Sequence, residues 1–599
     1  MACDSVTQKI GLSRDARASG LVDLLTPNTH NQPNTGRSRG SAWMETLPES
    51  ALQQLGRLNP PLIASCALAF FFAPATLQIM TSRAEPHHHA SSGPLELTLG
   101  GLSFSEVEQV ARGARPVRLS SAARAAIDRS RAALIQVISD DQPHYGINTG
   151  FGSFSRQRIP DADLRDLQRN LVRSHAAGVG PSLPTDVVRA MMLLLAASLS
   201  RGRSAVRPGV VETILALLNA PGGGVVPVVP EVGSVGASGD LAPLAHVAQV
   251  LIGEGVATFQ GREMPGAEAL AAAGIQPIAL EAKEGLALIN GTHLMAAQAA
   301  LLERDVARLF DAALTAAAMS IDACRATDEF LDERVHLARN QPGQRNVAAR
   351  LRRLLDGSQI IPSHRLNDPR VQDPYSLRCA PPILGAALDA FEYFRQRAAD
   401  ELGAVTDNPL VFDSPGDPAI VSAGNFHGMP IALPLDVLTI ALSHVAGVSE
   451  RRVYHMLSGF DPDAGLPPYL SPKPGLHSGF MIAQYTAAAC CNEIIGLANP
   501  ATVANISTSA GMEDYNSFGP RAAAKARRAT SLATSAIAIE LLCASQAVEH
   551  HRPLRSSPMV EAALATIRAV VPSLTADRSP APDIAAIERL IGGGRFAST

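Results

Sequence analysis

Aromatic side chains are scarce in this chain: Phe, Tyr and Trp make up 4% of 599 residues, with Trp43 the one tryptophan. A core large enough for such a length must therefore be built from Ala, Leu, Val and Ile, whose small faces let helices approach closely. A mainly α fold is the expectation. Cysteine is sparse and unpatterned. Cys3, Cys66, Cys324, Cys379, Cys490, Cys491 and Cys543 show neither paired spacing nor a Cys-x-x-Cys motif. That excludes a disulfide framework or a structural zinc site as a reading; no metal is expected, and a reducing cytoplasm fits. Cys490 and Cys491, adjacent in an Ala-rich run, read as buried thiols. A charge excess is missing too. Net charge is −4 with Lys and Arg scattered among acids, so the sequence shows no nucleic-acid footprint. A small zwitterionic ligand needs only one local Arg.

Long apolar runs are few. Leu62 to Met80 approaches a membrane span in length, but Ser65, Pro74, Thr76 and Gln78 dilute it and the polar stretch Met1 to Asn59 precedes it. That position suits neither a signal peptide nor the start of a cytoplasmic enzyme, and no membrane partner is expected. Residues 1–94 read as a disordered or spurious extension with Met80 as the natural start, and the His87-His88-His89 triplet as an oddity of that tail.

From Leu95 the chain becomes orderly. Residues 95–289 mix short helices, Val187 to Leu199 among them, with Gly- and Pro-punctuated segments such as Gly222 to Pro230, and form a smaller mixed domain. Residues 290–599 read as long helices over Leu294 to Cys324, Ile383 to Glu401, Ile431 to Tyr454, Phe480 to Leu497 and Ala522 to Glu549, a bundle domain. Ile591-Gly592-Gly593-Gly594-Arg595 reads as a tail.

Ahead of the bundle lies Gly233-Ser234-Val235-Gly236-Ala237-Ser238-Gly239-Asp240-Leu241-Ala242-Pro243-Leu244. A tight bend that drives the Gly239 nitrogen onto the Ala237 carbonyl carbon, with loss of two waters, turns Ala237-Ser238-Gly239 into a methylidene-imidazolone ring. Glycine permits the close approach, and Ser238 supplies the hydroxyl that leaves. The ring is an electrophile, which no ordinary side chain is. The whole string resembles the cofactor-forming segment of the aromatic amino-acid ammonia-lyases, and further resemblance runs in blocks from Leu95 to near the C-terminus.

That resemblance implies roles for residues that alone would read blandly. In His144-Tyr145-Gly146-Ile147-Asn148-Thr149-Gly150-Phe151-Gly152 it makes Tyr145 the base that removes the substrate's β-proton; a free phenol titrates near 10, so the site must favour phenolate. In Leu171 to Gly180, His175 followed by the small Ala176 resembles the family's histidine branch, where phenylalanine lyases carry Phe-Leu and tyrosine lyases His-Leu. Asn290 in Leu288 to His293 matches the family's active-site asparagine, while His293 stands where Gln is usual. In Val371 to Ala380, Arg378 clamps the substrate carboxylate in two places, with Tyr375 and Gln372 completing the electrophile's pocket. Ala380 and Pro382 depart from the Gln residues of the histidine branch.

Asn425 and Phe426, in Gly424 to Gly428, resemble the residues bordering the ring. Glu513, in Ser509 to Tyr515, stands where the histidine branch keeps a glutamate near the substrate ring, with Met512 and Tyr515 departing from Gln and His. A carboxylate can hold an imidazole by a charge-assisted hydrogen bond.

Taken together the resemblance implies deamination of L-histidine to trans-urocanate and ammonia in a cytoplasmic homotetramer. The ring takes the amino group and Tyr145 the β-proton. Alternatives are a phenylalanine or tyrosine lyase or a 2,3-aminomutase of the same family and, from another class, an inactive helical scaffold. A fumarase-type lyase lacks support because its Gly-Ser-Ser-x-Met-Pro string is absent.

Overall fold

Alanine-rich sequence with few breakers forms helices of unusual length here, and their small faces set how tightly they pack. The computed structural model describes residues 93–139, 142–150, 156–366 and 368–596. The extension with Trp43, Cys3, Cys66, the apolar run to Met80 and the His87 triplet lies outside these residues, as do Phe151 and Gly152.

Helix α1, Phe104–Ala111, starts from a capping box in which Ser103 and Glu106 each accept from the other's backbone. Helices α2, Leu164–His175, α3, Thr185–Ser200, and α4, Ala242–Leu251, follow, then the one-turn-and-a-half α5, Glu284–Ile289. The long helices are α6, His293–Ala323, α7, Ala380–Leu402, α8, Met429–Ser458, α9, Met481–Leu497, and α10, Gly519–Glu549, and α11 is Ala581–Gly592. These match the expected long helices within three or four residues at each end. Helix α8 stops at Gly459, whose φ of 65° the chain reaches without Cβ strain. Strands among the described residues are at most four residues long. They form a parallel pair, Leu95–Leu97 with Val117–Leu119, two antiparallel pairs, and a three-stranded antiparallel sheet of Val225–Pro227, Val256–Phe259 and Arg262–Pro265.

Helix α6 is the axis of the bundle, with 26 of its 31 residues buried. It packs on α1 and α3 on one side and on α7, α8, α10 and α11 on the other. Residues 91–599 therefore form one compact unit, within which position 290 marks a change of helix length. Helices α8 and α10 are long and apolar enough to cross a membrane, but 67% and 78% of their most apolar windows are buried in the bundle, as core helices are. At their crossing Arg452 and Glu540, both fully buried, pair through Nε and Nη2 at 2.5 and 2.8 Å, and Ser320 of α6 donates to the same carboxylate at 2.7 Å. The bidentate geometry and third donor offset the cost of burying two charges.

The C-terminal reading needs correction. Ile591, on the last turn of α11, is 2% exposed, and Phe596, just past the stretch read as a tail, is 5% exposed, so that stretch is anchored in the core at both ends although Gly592, Gly593 and Arg595 are exposed. Its three glycines masked an apolar pair whose burial is worth a few kcal/mol. Cys490 is buried and Cys491 half-buried.

Candidate active site

The reactive segment is bent as its residue types demand. Ser238 and Gly239 have φ of 50° and 80°, Gly236 has 76° and Leu241 48°, a run of left-handed angles costly for side-chain-bearing residues. The bend is clamped from outside. Gly291 donates its N–H to the Ser238 carbonyl at 3.1 Å, and the Asp240 N–H donates to the Gly291 carbonyl at 2.7 Å. A Cβ at position 239 would lie 2.1 Å from that Gly291 oxygen, so only glycine fits. Ala237 is buried at 6% exposure. Small residues, forced angles and an external clamp are what backbone cyclisation of Ala237-Ser238-Gly239 requires, so the segment fits the ring.

Next to it lies a group of buried polar side chains. Asp240, fully buried, accepts from the Leu294 N–H at 2.6 Å at the start of α6, and burial pushes its carboxyl well above the usual range against that donor. Asn290 caps the end of α5 and donates Nδ2 to Asp407 Oδ1 and to the Asn408 carbonyl, both at 3.0 Å. Its Oδ1 is buried with no partner among the described residues. Asp407 also accepts from the buried Lys283 at 2.6 Å, and burial lowers that ammonium. His293, on the first turn of α6, has neither ring nitrogen bonded among the described residues, and burial, with Arg201 nearby, takes its imidazole down to about 4.

Above the bend opens a cavity of about 560 Å³. Tyr145, His175, Ser238 and Glu513 all line it, with Leu171, Leu241, Leu286 and Ile289 among its apolar walls. Four separate stretches of sequence thus meet at one place: the loop before α2, the C-terminus of α2, the reactive bend, and the loop before α10. His175 closes α2 with Nδ1 2.8 Å from the Leu171 carbonyl. A carbonyl can only accept, so Nδ1 carries the proton and Nε2 is the acceptor. The Glu513 carboxylate accepts from the Thr508 hydroxyl at 2.9 Å. Tyr145 is half-buried.

Other sequence-predicted residues are elsewhere. Tyr375 is 69% exposed, and the Arg378 guanidinium lies 4.6 Å from its ring centroid while donating to the Asp373 carbonyl and to Gln372 Oε1 at 2.9 and 2.8 Å. None of these three borders the cavity, and their short helix packs on α6, α7 and α8. Asn425 is exposed with Nδ2 3.4 Å from the Val405 carbonyl, and Phe426 is half-buried. Of the departures, Tyr515 accepts from His427 Nε2 through its carbonyl at 3.0 Å, Met512 is 64% exposed, and Ala380 is buried at the start of α7.

Sequence reading missed Thr508, the cavity residues Gln157 and Asn170, and the Lys283–Asp407 pair. The last spans 124 positions and carries no local signal. Leu286 and Ile289, three apart and just ahead of Asn290, had a legible periodicity.

The sequence profile described as aromatic amino acid lyase matches residues 102–569. The histidine ammonia-lyase of Koribacter versatilis is 48% identical over 514 residues, spanning 84% of this chain and 99% of that protein. Among solved structures, the histidine ammonia-lyase from Trypanosoma cruzi superposes with a TM-score of 0.75 at 37% identity, over 84% of this chain and 94% of that one. The tyrosine aminomutase from Streptomyces globisporus does so with a TM-score of 0.79 at 35% identity, over 84% and 97%.

Proposed function

This chain belongs to the aromatic amino acid lyase family, and on that premise we propose that it is a histidine ammonia-lyase, eliminating ammonia from L-histidine to give trans-urocanate. The observation that carries the reading is the cavity in which Ser238, Tyr145, His175 and Glu513 meet. His175 and Glu513 are the residues that separate the histidine branch from its relatives, and both present acceptors where an imidazole ring can use them.

The prosthetic group is a methylidene-imidazolone formed from Ala237, Ser238 and Gly239; it supplies an electrophile for the substrate's amine. The chain's own residues do the rest. Tyr145 takes the β-proton while the electron pair of the breaking C–N bond leaves with nitrogen. A positioned base of this kind contributes ~10²–10⁴-fold, and holding it against the C–H bond adds more. Glu513 and His175 hold the ring. The apolar wall of Leu171, Leu241, Leu286 and Ile289 excludes water, which strengthens the carboxylate's hold.

Among the described residues that line the cavity there is no Lys or Arg for the substrate carboxylate, and Arg378, half-buried, is not one of them. A homotetramer, in which one copy brings Arg378, Tyr375 and Gln372 to another copy's cavity, resolves this. An outward apolar stripe supports association: Leu433, Ile440 and Tyr454 recur at multiples of seven along α8 at 46%, 38% and 45% exposure, and Ile482 and Tyr485 of α9 are 57% and 59% exposed. Cytoplasmic residence is part of this reading and is supported by the unpaired thiols among the described residues.

The test is the ultraviolet absorbance of urocanate appearing from L-histidine, run beside L-phenylalanine and L-tyrosine and with the product searched for β-amino acids. Urocanate as the main product supports the reading. Cinnamate or coumarate formed faster, or a β-amino acid, overturns it in favour of a relative's chemistry.

A further inference from the structure

Glu513 does not reach the cavity on an ordinary loop. Ser509, Ala510 and Gly511 take φ of 49°, 52° and 87° in succession, and two of the three pay the Cβ penalty of the left-handed region. The turn doubles the chain back so that Thr508 and Glu513 pair across it: Thr508 N–H donates to the Glu513 carbonyl at 2.9 Å, and Glu513 N–H to the Thr508 carbonyl at 3.4 Å. The same pairing brings the Thr508 hydroxyl to 2.9 Å from Glu513 Oε2. Asn516 closes the far side. Its Nδ2 donates to the Ile506 carbonyl at 2.6 Å and to Thr508 Oγ1 at 3.3 Å. Its backbone is clasped by Asn505, which accepts from the Asn516 N–H at 2.9 Å and donates to the Asn516 carbonyl at 2.7 Å.

Proton direction in this chain is settled by its members. The Asn516 amide group is a donor, so Thr508 Oγ1 accepts from it and must send its single proton to Glu513. Glu513 Oε2 is thereby an acceptor and is committed to Thr508, which leaves Oε1 for the cavity. We propose that Thr508 is a positioning residue for substrate specificity: its hydroxyl, oriented by Asn516, holds one carboxylate oxygen of Glu513 and leaves the other aimed at the substrate's imidazole. Two hydrogen bonds in series polarise one another, so accepting from Asn516 makes the Thr508 hydroxyl a stronger donor to Glu513 rather than a mere space-filler. Nothing in the composition of the loop marks Thr508 for this; the left-handed turn, which only the fold specifies, puts positions 508 and 513 face to face.

The proposal rests on Glu513 being the ring's partner, and the experiment separates the two. kcat and KM for L-histidine are measured for the full chain and for Thr508→Val, Thr508→Ser, Glu513→Gln and Thr508→Val with Glu513→Gln, each checked by intact mass for the loss of two waters. Thr508→Val keeps shape and removes the hydroxyl. It is expected to raise KM for histidine about tenfold with a smaller change in kcat. Thr508→Ser is expected to restore both. In the Glu513→Gln background the valine substitution is expected to cost less than about twofold, because a residue acting through Glu513 has nothing left to act on. Equal losses from Thr508→Val with and without Glu513, or no recovery with Thr508→Ser, overturn the proposal and leave Thr508 a packing residue. A Glu513→Gln chain as active on histidine as the parent overturns the underlying reading instead.

Discussion

Two parts of the site are built on opposite terms. The cavity residues Tyr145, His175, Ser238 and Glu513 come from four stretches of one chain and are brought together by intrachain burial of α2, α4 and α5. The segment Gln372 to Arg378 is fastened to itself, with the half-buried Arg378 stacked on Tyr375 and bonded to Gln372 and the Asp373 carbonyl, and its phenol is 69% exposed. The first cluster needs only that the chain fold. The second does not line that cavity, so under the proposed homotetramer its chemistry depends on what another copy places against it.

The largest test of the first cluster is Ser238→Ala, which has no hydroxyl to lose. Turnover should fall by about 10³-fold or more, the scale of losing a whole catalytic group, and intact mass should no longer fall two waters short of the encoded mass. Activity at full encoded mass sinks the ring.

The comparison itself is broken or kept by mixing. Ser238→Ala and Arg378→Ala chains, each nearly inactive alone, should regain a measurable fraction of the parent rate when co-assembled, since one supplies the bend and the other the guanidinium. No recovery in mixed oligomers, verified by differently tagged chains, means that Arg378 does not serve a neighbour's cavity.

Specificity gives a smaller effect. Glu513→Gln keeps the shape and removes the charge, and a lost hydrogen bond to a charged group costs about 1.5–3 kcal/mol, roughly ten- to hundredfold in kcat/KM for histidine. Arg378→Lys should instead hurt every amino acid alike, because it acts on the carboxylate they share. Kinetics on histidine and phenylalanine side by side distinguish the two; equal losses on changing Glu513 refute its role.

The smallest effect is one of stability beneath the bend. His293 titrates at about 4 in the fold against 6.5 unfolded, so below pH 6.5 the unfolded chain binds a proton that the folded chain refuses. Stability from this group is present above pH 6.5 and is lost as pH falls toward 4, by about 2 kcal/mol between pH 7 and pH 5. His293→Gln should lose less over that interval, read as the shift in urea midpoint. A parent and variant that fall in parallel would show that the imidazole is not held neutral.

The long helices were legible because their cause is local: Ala and Leu at helical spacing and few breakers over two or more heptads. The reactive tripeptide was legible for a related reason, since small residues at adjacent positions carry the chemistry and no distant partner is needed to name it. The clamp on that tripeptide was not, because Gly291 lies some fifty positions on and meets it through backbone atoms that every residue type shares. The C-terminal glycines misled, since a run of breakers hides the burial of Ile591 and Phe596 that tertiary contact supplies.

Sequence alone therefore determined the family, and supplied the tripeptide and the residue types proposed for electrophile, base, ring partner and carboxylate clamp, all of which are matters of which groups are present. Tertiary structure decided which of them meet. It put Tyr145, His175, Ser238 and Glu513 around one cavity, left Arg378 and Tyr375 outside it, buried His293 until its imidazole is neutral, and turned Thr508 onto Glu513. Each of those outcomes depends on distance and desolvation between positions far apart in the chain, and a linear order of residues carries neither.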